Sequence, residues 1–491
     1  MRLPNLSPTA WVTVQNLFTQ MFGLALFAVQ APLLGPRTFG LITIVMVFVG
    51  FCEFVLEIAS TEGLVSVRDI DERHYATMTT ANAAAAAVLG IAVFFAADWI
   101  AALFSEPELA AVLRWMAVLP LISALLSAPN AATRRAMQFR PLAIRSVVSI
   151  AVGGTVGLVL AFLHYGVWAL VAQAIVQRLL NVGILWAIVP IRFRLGFSLP
   201  HFRELMRYAG PMLVSQTMTW SAGQIPRFLL GFYLGAGELG LFSLASRLNE
   251  ILLQLTLSPR YAVARMEMQR HIDDPAGLEY SVKHLLQNMA VLCFPMCIGG
   301  AALMPVLFSV WLDARWLPGI FTAQIMLLMC LPYVTHYGLS AALLGINKQS
   351  AIAVNSAVQT AVTVLVVAVF APLGLNAAVS AIALRPFATA PLPMFYVRRY
   401  GGLSPRGIVS AQLPLLAAAL VMGAVVAGLS YLCKARLPDL VTLPLLVVVG
   451  IGIYSALLCK FLPALAAPYL QRATKILRRL GYSRSADGGA G

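Results

Sequence analysis

Charged residues are scarce in this chain. Only 11% of its 491 residues are Asp, Glu, Lys or Arg, 60% are hydrophobic, and the mean hydropathy is +0.85. A soluble protein carries about 25% charged residues, so the composition excludes a soluble globular domain and predicts a chain solvated largely by lipid. Acidic residues are the scarcest charged type, 19 against 34 Lys and Arg, which leaves a net charge of +15.

Cysteine motifs are missing as well. The six cysteines lie mostly in apolar runs and form no CxxC pair, so they predict neither a metal site nor a disulfide framework. Cys293 and Cys297 are four residues apart in one apolar segment without a nearby histidine, and we interpret them as packing residues. We expect no metal and no cofactor.

The positive charge is concentrated in alternate connections between apolar segments. With the N terminus in the cytoplasm, most basic residues fall on the same side of the membrane, among them Arg134, Arg135, Arg140, Arg145, Arg203, Arg207, Arg398 and Arg399. This positive-inside bias predicts a multi-pass protein of the bacterial inner membrane with both termini in the cytoplasm. Because lipid topology accounts for the charge, we expect no nucleic acid partner.

The hydropathy pattern predicts an all-α polytopic membrane protein. About fourteen apolar segments, one of them over 109–128, are long enough to cross the roughly 30 Å hydrocarbon core as helices. The connections on the outward side are short, which leaves no room there for a catalytic domain. A membrane-bound polymerase or ligase would need such a domain, so we do not expect an enzyme.

An internal repeat divides the chain. Leu34-Gly35 with Gly40-Leu41 recurs 200 residues later as Leu234-Gly235 with Gly240-Leu241, and a second set of matches follows at a shift of 208. Six predicted helices separate equivalent positions, and an even number preserves the direction across the membrane, so the repeats are parallel. We predict two pseudo-symmetric six-helix lobes, 1–195 and 196–400, and a third region, 401–491, with two helices and a basic amphipathic cytoplasmic tail.

Four segments carry a resemblance to a known family. They read APLLGPRTFGLITI at 31–44, RRAMQFRPLAIRSVVS at 134–149, GVWALVAQAIVQRLL at 166–180 and LGAGELGLFSLASRLNEI at 234–251. With two lobes and two extra helices, the chain resembles the polysaccharide-transporter (Wzx-type) flippases, which share a superfamily with the MATE drug exporters and the lipid II flippase. That family usually has an acidic residue in the first turn, where this chain has Arg37-Thr38.

The resemblance implies a function. A flippase of this kind moves undecaprenyl-diphosphate-linked oligosaccharide, the repeat unit of O-antigen, capsule or exopolysaccharide, from the cytoplasmic to the periplasmic leaflet by alternating access. The implied partners are this lipid-linked cargo, membrane lipids and the polysaccharide polymerase or chain-length machinery. Two alternatives stay open, a lipid II-type flippase and a cation-coupled, MATE-like exporter of small molecules.

Five arginines lie within apolar runs and are the first candidates for substrate binding. An arginine at the centre of a membrane helix costs about 2.5–3.5 kcal/mol, so it normally faces a polar cavity or a counter-charge. Arg178, Arg247 and Arg385 lie well inside their segments and predict a charged cavity between the lobes, whereas Arg114 and Arg227 lie closer to segment ends. The alternative is a structural ion pair, to which Arg247 is most exposed because Glu250 lies three residues further on.

Other polar residues complete the predicted site. Glu53, Glu57 and Glu250 are the acidic residues placed within membrane segments, and they leave coupling to H⁺ or Na⁺ open. Eight further side chains are candidates for binding sugar hydroxyls, with interhelical hydrogen bonds as the alternative. These are Gln20, Gln30, Gln216, Gln224, His336, Tyr337, Asn355 and Gln359.

Overall fold

The computed structural model describes residues 8–67, 69–189, 196–257, 260, 268, 274–433, 437–463 and 465. Within these residues all regular structure is helical, including short 3₁₀ segments at Ala314–Gly319 and Ala371–Leu373. In chain order the helices are α1 (Pro8–Ser66), α2 (Glu72–Leu103), α3 (Glu108–Met116), α4 (Leu119–Ala124), α5 (Ser127–Arg135), α6 (Phe139–Phe162), α7 (Val167–Ile188), α8 (Leu199–Thr256), α9 (Pro275–Trp311), α10 (Ile320–Leu328), α11 (Cys330–Gly345), α12 (Gln349–Phe370), α13 (Leu375–Thr389), α14 (Pro391–Gly401), α15 (Pro405–Ser410), α16 (Leu413–Cys433) and α17 (Asp439–Phe461).

The helices are of the length and composition that lipid requires. Eleven of the described helical segments are long and apolar enough to cross a membrane, and the bent set α3–α5 makes a twelfth. A helix satisfies its backbone hydrogen bonds internally, which is the condition for lying in hydrocarbon. The prediction of an all-α polytopic membrane protein is confirmed.

Prolines break the segment that was predicted as one helix over 109–128. Instead of one continuous helix, the structure has α3, α4 and α5 with a 41° bend before α5. Proline lacks an N–H, and its ring clashes with the carbonyl four residues earlier. Pro120 accordingly follows the end of α3 at Met116 by four residues. Pro129 follows Leu125, the residue directly after the end of α4, by four residues as well.

The two longest helices share an unusual feature at positions 200 residues apart. α1 has a kink at Gly35 and α8 has one at Gly235, with φ of 75° and 78° and an extended ψ at both. Only glycine adopts this φ/ψ combination without steric cost. The glycines that marked the repeat in the sequence are therefore the residues at which the two helices bend.

Beyond the kinks, α1 and α8 cross at backbone contact. A Cβ atom on Gly40 would lie 1.7 Å from the carbonyl oxygen of Ala236, and one on Gly240 would lie 1.9 Å from that of Pro36. One turn further along, the hydroxyls of Thr43 and Ser243 are 2.8 Å apart. The contact is reciprocal, because residues related by the 200-residue shift exchange roles across it.

The chain divides into two compact units, one of residues 1–243 with 367–375 and one of 244–366 with 376–491. In the first unit α6 packs along α7 and α1; in the second α9 packs against α11 and α16. Gly153 and Gly157 of α6 admit the side chains of Gln177 and Gln173 from α7, since small residues allow membrane helices to approach closely. The lobe boundaries at 195 and 400 stay predictions, and nearly all of the predicted tail lies outside the described residues.

Candidate functional site

A polar cavity of about 290 Å³ lies within the first unit. Its walls come from α1, α4, α5, α6 and α7. Among the predicted residues, Glu53, Glu57 and Arg178 line it. The rest of its lining is Leu56, Ser60, Ser123, Leu126, Ser127, Asn130, Arg145, Ser146, Ile150, Gln177 and Asn181.

An ion pair joins two walls of the cavity. Arg178 of α7 donates from Nε to Oε1 of Glu53 at 2.7 Å and from Nη2 to Oε2 at 2.8 Å, and the Ser123 hydroxyl also donates to Oε1. This two-point geometry is the strongest form of an arginine–carboxylate pair. The Glu53 side chain is only 11% exposed, so the pair is shielded from screening. Arg178 therefore lines a cavity within the first unit and is neutralised there by a carboxylate, and its role in substrate binding stays a prediction.

A second arginine in the same cavity lacks such a partner. The Nε and Nη1 groups of Arg145 are buried and have no hydrogen-bond partner among the described residues. Glu57, the remaining acidic residue of the cavity, is 58% exposed and lies 3.7 Å from Arg134 instead. Burying charged donors without acceptors is unfavourable, so Arg145 indicates a place where an anion would be stabilised.

Sequence reasoning did not select Arg145 as a site residue. It was assigned to a cytoplasmic connection, but α6 begins at Phe139 and Arg145 follows its first turn. A usable signal was the spacing of polar residues in apolar segments. Glu53, Glu57 and Ser60 on one helix, and Ser123, Ser127 and Asn130 along the next part of the wall, both follow the i, i+4, i+7 pattern of one helical face.

Arg385 lies in the second unit and has neutral partners. It donates to the hydroxyls of Thr363 and Tyr333, its Nε group is buried without a partner, and it forms no ion pair with any described residue. The ion-pair alternative therefore does not apply to Arg385 in the described structure. That guanidinium groups of both halves face one cavity stays a prediction.

His336 and Gln359 bind each other beside Arg385. The Nε2–H group of His336 donates to the carbonyl of Pro386 at 2.8 Å, and its Nδ1 accepts from Gln359 at 3.2 Å. Pro386 lies in the last turn of α13, where carbonyl groups lack helical partners. This arrangement agrees with the interhelical-contact interpretation of both residues.

The remaining predicted residues are not among those that line the first unit's cavity. Arg247 is 3.6 Å from Glu250, as its spacing predicted, Arg227 donates to Gln224 at 3.2 Å, and Arg114 pairs with Asp98. Gln30 donates to Gln173 at 2.7 Å, Gln20 and Asn355 each have a buried oxygen without a partner, and Gln216 and Tyr337 are half-buried. A role of these residues in substrate binding stays a prediction.

Comparison with known sequences gives a consistent result. Residues 29–321 match the model of a family described as polysaccharide biosynthesis protein. The succinoglycan biosynthesis transport protein ExoT of Rhizobium meliloti is 28% identical over 300 residues, and the lipopolysaccharide biosynthesis protein WzxC of Escherichia coli is 21% identical over 313. Each alignment spans 61% of this chain and 61% of the relative, which is less than two thirds of its length.

Two groups of solved structures have a similar fold. The lipid II flippase MurJ superposes with a TM-score of 0.74 at 15% identity, covering 92% of this chain and 99% of its own. An inward-facing multidrug transporter of the MATE family gives 0.57 at 14% identity, covering 81% and 98%. These identities are low enough that the likeness concerns the fold, and the fold is the one that the sequence motifs predicted.

Proposed function

Because this chain belongs to the polysaccharide biosynthesis protein family, we propose that it is a flippase for undecaprenyl-diphosphate-linked oligosaccharide, the precursor of O-antigen, capsule or exopolysaccharide. It moves this cargo from the cytoplasmic to the periplasmic leaflet by alternating access. The observation that supports the proposal is Arg145, whose buried Nε and Nη1 groups have no partner among the described residues in a polar cavity of the first unit.

The chemistry of the cargo fits this cavity. A diphosphate carries several negative charges and cannot cross about 30 Å of hydrocarbon unless polar groups replace its water. The planar fork of arginine binds phosphate oxygens at two points. Pockets for drug-sized ligands are about 300–1,000 Å³, so a cavity of about 290 Å³ suits the headgroup rather than a whole oligosaccharide. Serine and amide side chains on its walls supply further hydrogen bonds.

Glu53 is the proposed coupling residue. Its carboxylate holds Arg178, so a diphosphate that reaches Arg178 must compete with Glu53 for the same donors. A proton or sodium ion that neutralises Glu53 would release Arg178 to the headgroup. Transport that is coupled to H⁺ or Na⁺ through this exchange should lose its dependence on the ion when Glu53 is replaced by glutamine.

We also propose fourteen membrane crossings, with two six-helix lobes, two C-terminal helices and both termini on the cytoplasmic side of the inner membrane. A straight helix as long as α1 would extend about 90 Å, three times the hydrocarbon thickness. The middle and the ends of α1 contact different parts of the chain. Near its middle, Arg37 pairs with Glu106, which follows α2. Near its C-terminal end, the carbonyl of Leu64 accepts from Arg135, which lies close to the start of α6. Gln15 in turn binds Ser146, so both ends of α1 lie near the start of α6. If α1 and α8 each cross twice and the bent set α3–α5 crosses once, the twelve segments become fourteen crossings.

The decisive variant is Arg145→Gln, with Arg140→Gln as the matched control on the exposed start of the same helix. In proteoliposomes that contain undecaprenyl-diphosphate-linked oligosaccharide, a membrane-impermeant sugar-modifying reagent reports how much cargo each leaflet holds. A lost charge-assisted hydrogen bond is worth about 1.5–3 kcal/mol, so Arg145→Gln should slow translocation about 10- to 100-fold. Arg145→Lys should retain part of the activity.

Two results would contradict the proposal. One is wild-type translocation by Arg145→Gln protein that is present at the normal level. The other is wild-type protein that leaves the lipid-linked sugar in place but expels cationic dyes, which would favour the small-molecule exporter.

A further inference from the structure

Two histidines and two carboxylates from distant parts of the chain meet outside the cavity, at the start of α2. Asp71 caps this helix: its Oδ1 accepts from the backbone N–H of His74 at 3.0 Å, and Nδ1 of the His74 ring is 2.7 Å from the same oxygen. His74 is 6% exposed at its side chain, whereas Asp71 is 55% exposed. The cluster thus has a buried inner residue and an open carboxylate.

The first turn of α8 contributes the other two groups. Nε2 of His201 is 3.9 Å from Oδ2 of Asp71, and the His74 and His201 rings meet edge to face at 4.5 Å. Oε2 of Glu204 is 3.3 Å from Nε2 of His74. The carboxylates are half-exposed, so the cluster is open to an ion from the aqueous side.

The histidine that α8 supplies is held in place by its neighbours. Nδ1 of His201 is 2.6 Å from the Ser198 hydroxyl, which leaves Nε2 directed at Asp71. Gly196 and Ser198 donate their backbone N–H groups to Thr80 and Thr77 of α2, at 3.1 and 3.3 Å. A histidine with one ring nitrogen anchored and the other free is the arrangement found in metal sites.

We propose that Asp71, His74 and His201 bind a divalent cation of the zinc class, with Glu204 beside the other ring nitrogen of His74. One nitrogen of each histidine and one oxygen of Asp71 lie within 4.8 Å of one another. Zinc binds such atoms at about 2.0–2.2 Å in tetrahedral geometry, which places ligand atoms about 3.5 Å apart.

A cation also accounts for a conflict at His74. Its Nδ1 faces a donor, the Asp71 N–H group at 3.3 Å, and an acceptor, the Asp71 carboxylate at 2.7 Å. One ring nitrogen of a neutral histidine cannot accept from the first and donate to the second. A cation bound to Nδ1 and to the carboxylate would remove the repulsion between these two acceptors and clamp the start of α8 onto α2. The other resolution is a network of imidazolium and carboxylates without metal.

The test is binding of Zn²⁺ to the purified full-length protein, prepared with a histidine-free tag and stripped with a chelator. We expect one equivalent by titration calorimetry, tetrahedral absorption bands when Co²⁺ replaces Zn²⁺, and a higher melting temperature with Zn²⁺. His201→Gln and Asp71→Asn should each weaken binding about tenfold or more, and Ser198→Ala should do so through the orientation of His201. Asparagine is a good helix cap, so Asp71→Asn keeps α2 intact.

His164→Gln, at an exposed turn between α6 and α7, is the matched control and should bind Zn²⁺ as the wild type does. The proposal is overturned if the wild type binds no stoichiometric Zn²⁺, which would leave an imidazolium–carboxylate network only. It is equally overturned if His201→Gln and Asp71→Asn bind Zn²⁺ with wild-type affinity. The outcome does not depend on which cargo the protein carries.

Discussion

Among single residues, Arg178 and Arg145 line the same cavity with different partners. Arg178 shares two hydrogen bonds with Glu53, whereas two nitrogens of Arg145 have no partner in the part of the chain that the structure describes. Removing one member of a shielded ion pair leaves the other charge uncompensated, which costs more than removing both. Glu53 therefore stabilises the protein as well as serving in the proposed exchange.

Glu53→Gln should lower the melting temperature of the detergent-solubilised protein, because it leaves Arg178 facing a neutral amide. Arg178→Gln should lower it too, and the double variant Glu53→Gln with Arg178→Gln should lose less than the sum of the two. The coupling between contacting charged residues is about 0.5–3 kcal/mol in a double-mutant cycle. Strictly additive effects of the two changes would show that the pair contributes no stability.

Among the helices, the crossing of α1 and α8 depends on glycine at two positions related by the repeat. The contact is with backbone, since each missing Cβ faces a carbonyl oxygen, so no side-chain rotation can make room. Hydrocarbon does not drive helices together, and close packing of small residues supplies the attraction instead.

Gly240→Ala and Gly40→Ala should each force the two helices apart and lower the melting temperature in detergent. Overpacking costs typically about 1–3 kcal/mol, which outweighs the gain of up to about 1 kcal/mol in helix propensity. Gly223→Ala is the matched control. Gly223 lies on the same helix, α8, and a Cβ added there meets no neighbouring atom within 4 Å. If Gly240→Ala is as stable as Gly223→Ala, the backbone contact does not exist in solution.

For the whole molecule, the number of crossings sets the orientation of every later connection. A double crossing of α1 places the turn after α2 outside when the N terminus is in the cytoplasm, whereas a single crossing places it inside. The ion pair between Arg37 and Glu106 connects the kink of α1 to that turn, as a double crossing requires.

Reporter fusions test this orientation. Alkaline phosphatase fused after Ser105 should be active, because the enzyme folds only on the periplasmic side, and a green fluorescent reporter after Gln138 should fluoresce in the cytoplasm. Exchanging the two reporters between the two sites provides the control, with both expected to be silent. Fluorescence after Ser105 together with phosphatase activity after Gln138 would show that α1 crosses once.

The sequence was sufficient for the properties that depend on composition and local pattern. Low charge and long apolar runs predict membrane helices, because the cost of exposing backbone to lipid leaves little choice of secondary structure. The glycines at 35 and 235, which the repeat places at equivalent positions, are the residues at which α1 and α8 kink, since few other residues adopt a φ near 75°. Arg178 and Glu53 were recognisable as costly charges in apolar segments, and Arg247 and Glu250 as neighbours on one helical face.

Which helices and side chains contact one another could be read only from the tertiary structure. In a soluble protein the polar face of a helix points to water, but a membrane helix is apolar towards both lipid and its neighbours, so periodicity does not reveal which helix it meets. The pairing of Arg178 with Glu53, the unpartnered donors of Arg145 and the meeting of His74 with His201 join residues far apart in the chain. Composition and spacing thus establish a helical membrane protein with an internal repeat, whereas packing between helices selects the side chains that share a cavity or a cluster, because only packing brings distant segments within bonding distance.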